Sequence, residues 1–370
     1  MTSEESKIVL PEDRLLSEEY IYAPDYKGKR SGGSSGSILF NFLKQIRIGM
    51  DLTSVTCPSF ILRHQSQLEV QARVSEPVEP LFKLRSTTDP KQRMLLVTEW
   101  AIRTISALPQ RGFENLKPYN PILGELFSCK WEHEDGSTTK LQAEQVSHHP
   151  PVSATRLINR EHGFWFDSTQ QIHVYFRGNY IESDLSGVHE LTINYNDKVE
   201  KYTIKYPIVY ARGLIFGDAM VELGGTLNIK CEQNGTSTEI KFKSGNRGEG
   251  YVYLEGKKAY KLTGCVLEAV TVKEYSSGQE TNFEPMNLKT STMQITKLSE
   301  QMKNESRRVW HPVTFALLDD DLESASRFKN DIEEAQRQKA KEFDEANHQP
   351  VHFVKLDGEE TQYQYKSNIL

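Results

Sequence analysis

His148 and His149 stand side by side, preceded by Ser147 and followed by Pro150 and Pro151. Imidazole is a frequent metal ligand and a frequent general base, so the pair invites both readings. Proline removes a backbone donor and pushes the residue before it toward extended geometry, so the stretch predicts a stiff edge or turn that displays both rings. Neighbours on an extended chain point to opposite faces, which works against both rings reaching one ion. A base needs a nucleophile or a metal within reach. Ser147 is adjacent, but it sits in no Gly-x-Ser-x-Gly elbow, and His-Glu-x-x-His is absent. On the residues alone, a metal site, a hydrolase and a loop with solvated histidines all stay open.

Two further groups have spacing that suggests a role. Lys329, Glu333 and Arg337 recur every four residues in a helix-favouring stretch. They share one side of that helix with about 40° of drift per step, and Lys329 to Arg337 spans roughly 12 Å. On spacing alone this is a surface ladder of ion pairs. Lys117-Pro118-Tyr119-Asn120-Pro121 is a turn stiffened by two prolines. It makes either a rigid corner or a preorganised binding loop, since less entropy is lost when a stiff loop takes a ligand.

The elements that must hold these residues follow from periodicity. From about residue 122 to 290 the chain is β-rich. Ile172, Val174 and Phe176 alternate with polar neighbours, as do Leu191, Ile193 and Tyr195. Leu227, Ile229 and Cys231 lead to the hairpin signal Asn234-Gly235, and Ile240 and Phe242 return. Asp89 to Leu108 and 321–347 favour helix. The fold class is therefore α+β, with one large antiparallel, barrel-like sheet. Strands do not alternate with helices and no phosphate-binding glycine motif occurs, which excludes a nucleotide-binding enzyme of that kind. Residues 1–36 end in the Gly/Ser run Ser31–Gly36 and predict a flexible segment. Leu39, Phe42, Leu43 and Ile46 then fall at helical spacing, with Ser37 to cap the start and Gly49 to end it. This amphipathic helix over 37–50 is a packed element, a membrane-surface helix or a movable cover.

Composition sets bounds. The chain has 370 residues, is 37% hydrophobic and 26% charged, and carries a net charge of -6. Bulk charge of that sign does not attract nucleic acid or an anionic membrane, so such contact requires a local basic patch. Cys57, Cys129, Cys231 and Cys265 are scattered without metal or redox spacing. With no apolar signal segment in Met1–Ser6 and no membrane-length apolar run, the expected setting is the cytosol. The residues ahead of Ser37 are expected to be too few for a separate folded targeting domain.

Five stretches, in order, carry a resemblance: Asp51 to Leu62, Lys117 to Glu125, Glu144 to Pro151, Tyr210 to Gly217, and Lys329 to Arg337. Together they resemble the lipid-transfer domain of the oxysterol-binding-protein-related family, from about Ser37 to near the C-terminus. The resemblance implies a near-closed antiparallel β-barrel over 51–370 around a hydrophobic lipid tunnel, an N-terminal lid helix over 37–50 and C-terminal helices. It implies that Lys117, Asn120, His148, His149, Lys329 and Arg337 hold the headgroup of phosphatidylinositol 4-phosphate at the mouth. Glu333 orients the cations or accepts from ring hydroxyls. Leu39, Phe42, Leu43, Ile46, Leu52 and Phe60 belong to lid and tunnel. The second ligand is sterol or phosphatidylserine, exchanged one lipid at a time between membranes by a monomer in transient membrane contact. No cofactor, metal, catalysis or nucleic acid is implied. Imidazoles titrate near about 6.5, so an anionic partner favours their charged form and affinity should fall as pH rises. A lipid sensor with the same ligands and little transport is the alternative; a lipid-ester hydrolase is the third reading.

Overall fold

In the computed structural model, strand after strand of a single antiparallel sheet repeats the period-2 pattern of the sequence. It describes residues 47–52, 62–108, 117–195, 198–213, 220–287, 291–342, 348–356, 358 and 361–366. The cover-helix residues Leu39, Phe42, Leu43 and Ile46, and also Phe60, lie outside these.

A parallel pair, β1 (Leu62–Ser66) and β2 (Lys117–Tyr119), brackets three helices: α1 (Gln67–Val74), α2 (Glu79–Phe82) and α3 (Pro90–Ser106). Asp89 caps α3 by accepting the Lys91 N–H at 2.9 Å, and Pro90 opens it where no backbone donor is needed. Next come β3 (Leu126–Glu132), β4 (Thr138–His148), β5 (Pro151–Asn159), β6 (Phe164–Phe176), β7 (Ile181–Tyr195), β8 (Lys198–Lys205), β9 (Ile208–Arg212), β10 (Met220–Cys231), β11 (Thr236–Lys243), β12 (Arg247–Leu254), β13 (Lys257–Cys265), β14 (Val270–Glu274), β15 (Glu280–Phe283) and β16 (Met293–Gln294). They form one 14-stranded sheet in which sequence neighbours mostly pair, with β16 returning to β3 and β9 bridging β7 and β10. Helices α4 (Ser306–Leu318) and α5 (Leu322–Glu342) and a small hairpin, β17 (Phe353–Lys355) and β18 (Tyr363–Tyr365), complete the described chain.

The sheet curls. One buried cluster contains Trp131 on β3, Phe166 on β6, Ile229 on β10 and Val272 on β14, together with Leu68, Leu81, Val97 and Trp100 from α1 to α3. Strands near opposite ends of the sheet share a core only if the sheet wraps around the helices, as in a near-closed barrel. Trp100 meets Phe166 edge to face at 5.2 Å. Arg93 of α3 grips Glu200 of β8 with two bonds, at 3.0 and 2.5 Å, and Tyr202 adds a third to the same carboxylate at 2.7 Å.

The alternating segments read from sequence fall in β6, β7, β10 and β11 as expected. At the hairpin between β10 and β11, Cys231 pairs with Thr236 across a four-residue turn in which Gly235 takes φ +68° and the Asn234 side chain accepts the Thr236 N–H at 3.1 Å. The helical stretch at 321–347 is described from Leu322 to Glu342. Helix α4 joins α5 as the C-terminal helical region that the resemblance implies, whereas α1, α2 and the β17–β18 hairpin go beyond the sequence expectation.

Candidate functional site

His148 is the last residue of β4, and it pairs with Pro151, the first residue of β5. The register shifts between Gln145 and Ser147, so a bulge precedes the histidines. The two rings meet edge to face with centroids 4.8 Å apart. That corrects the expectation of opposed faces: the chain leaves its strand at His148 and turns, so strand alternation no longer separates the rings. Side chains brace the turn. Ser147 Oγ donates to the Pro150 carbonyl at 2.7 Å, Gln145 Nε2 to the Ser147 carbonyl at 2.9 Å, and Ser153 Oγ to Gln145 Oε1 at 2.6 Å.

Lys117 begins β2 opposite Leu62, and Asn120 follows its end. The loop beyond them is tied to the histidine hairpin. The Gly124 N–H donates to the Gln145 carbonyl and the Gln145 N–H to the Glu125 carbonyl, each at 2.9 Å. Gly124 takes φ +75° with His348 against it, a position that suits glycine on both counts.

Glu125 then links this loop to everything around it. Its carboxyl is fully buried and receives Ser66 Oγ at 2.5 Å, Ser306 Oγ at 2.7 Å, Trp310 Nε1 at 2.9 Å and the Ile122 N–H at 3.1 Å. Burial pushes its pKa up against the pull of those four donors. Tyr119 stacks on Trp310 at 4.8 Å and bonds Thr314 through its hydroxyl at 2.9 Å.

Through that stack the third group joins. Tyr119, Trp310, Val313 and Leu317 form a small core against which Phe328 and Ile332 of α5 pack. Those two residues immediately precede Lys329 and Glu333, which form an ion pair at 2.6 Å with Lys329 buried. The loop after Asn120 is thus bonded to the histidine hairpin, and Tyr119 shares its core with the α5 residues that adjoin Lys329 and Glu333. Arg337 departs from the expected ladder. It is exposed, and its Nε donates to Glu334 at 2.9 Å rather than to Glu333.

Leu52 is buried, and its N–H donates to the Val174 carbonyl at 2.7 Å. Ser153, at the start of β5, pairs with Gln170, so β6 runs past the histidine hairpin in the direction of Val174. Leu52 therefore lies at the same end of the sheet as the hairpin, about 13 Å along β6 from the partner of Ser153. Gly49, expected to end the cover helix, takes φ +85° and donates to the Phe176 carbonyl at 2.7 Å.

Among the described residues no group of three or more His, Cys, Asp or Glu side chains is disposed to hold a metal ion. No described helix is long and apolar enough to cross a membrane. Sequence reasoning missed Glu125 and Glu144. Each is a carboxylate inside an otherwise apolar or motif-bearing stretch, which is the signal that could have marked them as buried anchors.

Comparison with known proteins identifies the family of the chain. The oxysterol-binding protein family model matches residues 39–316. The mouse oxysterol-binding protein-related protein 5 is 36% identical over 324 residues, covering 84% of this chain and 36% of that protein. Oxysterol-binding protein 4 of Dictyostelium discoideum is 32% identical, covering 90% of this chain and 75% of that protein. The chain thus spans only about a third of the length of the mouse relative. Among solved structures, the Osh1 ORD domain in complex with cholesterol superposes with a TM-score of 0.74 at 25% identity, covering 93% of this chain and 90% of that one. The Osh3 ORD of Saccharomyces cerevisiae in complex with PI(4)P gives 0.70 at 19% identity, with 92% of each chain covered. On this evidence the chain belongs to the oxysterol-binding protein family.

Proposed function

We propose that this protein extracts phosphatidylinositol 4-phosphate from membranes and exchanges it for a second lipid, sterol or phosphatidylserine, without catalysis. One lipid at a time occupies an apolar interior, and the polar rim holds the phosphorylated headgroup. Residues 37–50 open and close over the mouth, and the protein works from the cytosol in passing contact with membranes. The observation that carries this reading is the bonded chain from the His148–His149 hairpin through Gln145 to Gly124 and Glu125, and from Tyr119 to the turn bearing Lys329. These contacts link three distant parts of the chain that carry imidazole, ammonium and amide donors, which supports the reading of a shared rim. Family relatives of this fold in complex with cholesterol and with PI(4)P support the same ligands.

Energetics explain why such an interior requires both grease and charge. Withdrawing one sixteen-carbon acyl chain from a bilayer costs on the order of 12 kcal/mol, so an equally apolar lining must replace the membrane. A phosphate taken along must keep charged or hydrogen-bonding partners. Transport and sensing are separated by rate. Movement of labelled phosphatidylinositol 4-phosphate from donor to acceptor vesicles, compared with equilibrium occupancy, should show many transfers per protein. Full occupancy with no net transfer would replace the transporter by a sensor.

A further inference from the structure

We propose that the β17–β18 hairpin is a strap that sets the position of the His148–His149 pair, with Glu144 and Lys366 as its two anchors. Both would be positioning residues for phosphate binding, acting without touching the ligand. The proposal rests on the headgroup reading above.

The two positions held, Glu144 and Pro150, bracket the histidines in sequence. Glu144, four residues before His148 on β4, has no exposed surface, and its carboxylate accepts the Val351 N–H at 2.7 Å and the His352 N–H at 2.8 Å. Lys366 follows the second strand and faces His352 across the base of the strap. Its Nζ donates to the Pro150 carbonyl at 2.6 Å, two residues beyond His148. The strap is closed on itself by the Lys366 N–H bond to the His352 carbonyl at 2.9 Å and by pairing of Phe353 with Tyr365. Beyond the anchors it covers the face of β4 and β5 turned away from the main core. Val146, Val152 and Ala154 pack on Phe353 and Tyr365, and Tyr365 Oη donates to Gln142 Oε1 at 2.5 Å. The family match ends at residue 316, so the strap is built from chain beyond it.

A bulged strand end next to a turn is a weak place to mount two donors, because nothing in its own ladder fixes their direction. Fixing the backbone on both sides of the pair removes that freedom before the ligand arrives, and a displacement of about 1 Å at a binding group is costly. Geometry also predicts selectivity. The strap contacts the outer face of β4 and β5, whereas the large apolar cluster lies on the opposite face with Leu141, Ala143 and Leu157. Loosening the strap should weaken phosphate binding and spare the apolar interior.

The test uses two substitutions in the full chain. Lys366→Met keeps the aliphatic stem and removes the bond to Pro150. Glu144→Gln keeps the shape and leaves one oxygen for two backbone donors. Each is measured for extraction of phosphatidylinositol 4-phosphate from phosphatidylcholine vesicles, for binding of a fluorescent sterol or acyl probe, for melting temperature, and for imidazole resonances by NMR. Lys366→Met is expected to weaken phosphoinositide extraction on the order of tenfold, as loss of a supporting shell typically does, with probe binding and melting temperature held. The His148 and His149 resonances should shift or broaden. Unchanged extraction and unchanged imidazole signals in both variants would overturn the proposal. Equal loss of both ligands with a lowered melting temperature would overturn it too, reducing the strap to general scaffolding. His148→Ala/His149→Ala is the control. If that variant still extracts the phosphoinositide, the headgroup reading fails, while the imidazole signals of Lys366→Met still report whether the strap positions the pair.

Discussion

Trp310 Nε1 donates to Glu125 Oε2 at 2.9 Å, tying the helix Ser306–Leu318 to the loop that follows Lys117 and Asn120. Because the same carboxyl also receives Ser66, Ser306 and the Ile122 N–H, it joins three segments far apart in sequence: the end of β1, its own loop and the helix Ser306–Leu318. The rim of the proposed site is held from within by one buried acid.

Replacing that acid tests the arrangement. Glu125→Ala leaves a buried indole N–H and a buried backbone N–H without acceptors, and should cost about 3 kcal/mol or more in denaturant unfolding. Glu125→Gln should cost less, roughly 1 kcal/mol, because burial already disfavours the charged form and a neutral amide keeps shape and one acceptor. Equal losses in the two variants would contradict the assignment.

The helix-to-sheet clamp on the other side of the barrel predicts a large single-site effect. Burial disfavours the Glu200 charge, yet the bonds from Arg93 and Tyr202 hold its pKa below the usual carboxylate range. Arg93→Ala strands that carboxylate in the interior and should destabilise by about 3–5 kcal/mol. Arg93→Met combined with Glu200→Gln should recover much of this, since no charge is then left unpaired. Chemical denaturation of the two variants checks the ordering.

Buried neutral imidazoles make stability depend on pH. Burial lowers His189 to about 4, and burial with the nearby Arg308 charge does the same to His311. The unfolded chain takes up these protons near the ordinary histidine value, about 6.5, and the folded chain only near 4. The stabilisation is therefore complete above about 6.5 and is lost as pH falls toward 4, by roughly 3 kcal/mol per group. Glu125 and Glu144 are shifted upward by burial and act in the opposite direction over the upper part of that range. His189→Gln, which can still bond Ser168, should unfold with a visibly shallower acid slope than the parent.

The cations of the Leu322–Glu342 helix should not contribute equally to lipid binding. Lys329 is buried beside Glu333, next to the residues that pack on the Tyr119–Trp310 core, whereas Arg337 is exposed and paired with Glu334. Lys329→Ala should weaken phosphoinositide extraction by about tenfold or more, given that a charged hydrogen bond contributes about 1.5–3 kcal/mol. Arg337→Ala should change it by less, about twofold, as expected of an exposed pair. A larger loss at Arg337 than at Lys329 would reverse this ranking.

Much of the sheet was legible because period-2 alternation is imposed by the pleat itself, as in Leu191–Ile193 and Leu227–Ile229. The histidine turn was legible from its prolines. The anchors were not. Glu125 and Glu144 are defined by partners about 180 and 207 residues away, and no local pattern encodes such a contact. The strap leaves no pattern in the sequence because β17 and β18 are three residues each, too short for periodicity to register. The ring contact of His148 with His149 was misjudged, since alternation holds within a strand and fails where it turns. Spacing put Arg337 in line with Glu333, but spacing does not decide between Glu333 and Glu334 as its partner.

The central claim is tested most directly by titrating the protein against vesicles containing phosphatidylinositol 4-phosphate, with and without sterol or phosphatidylserine. Bound lipid is counted by mass spectrometry in the parent and in His148→Ala/His149→Ala. The account predicts one phosphoinositide per chain, displacement by one of the two competitors, and no phosphoinositide bound to the double variant. Phosphoinositide retained by the double variant, or both lipids held at once, would contradict it.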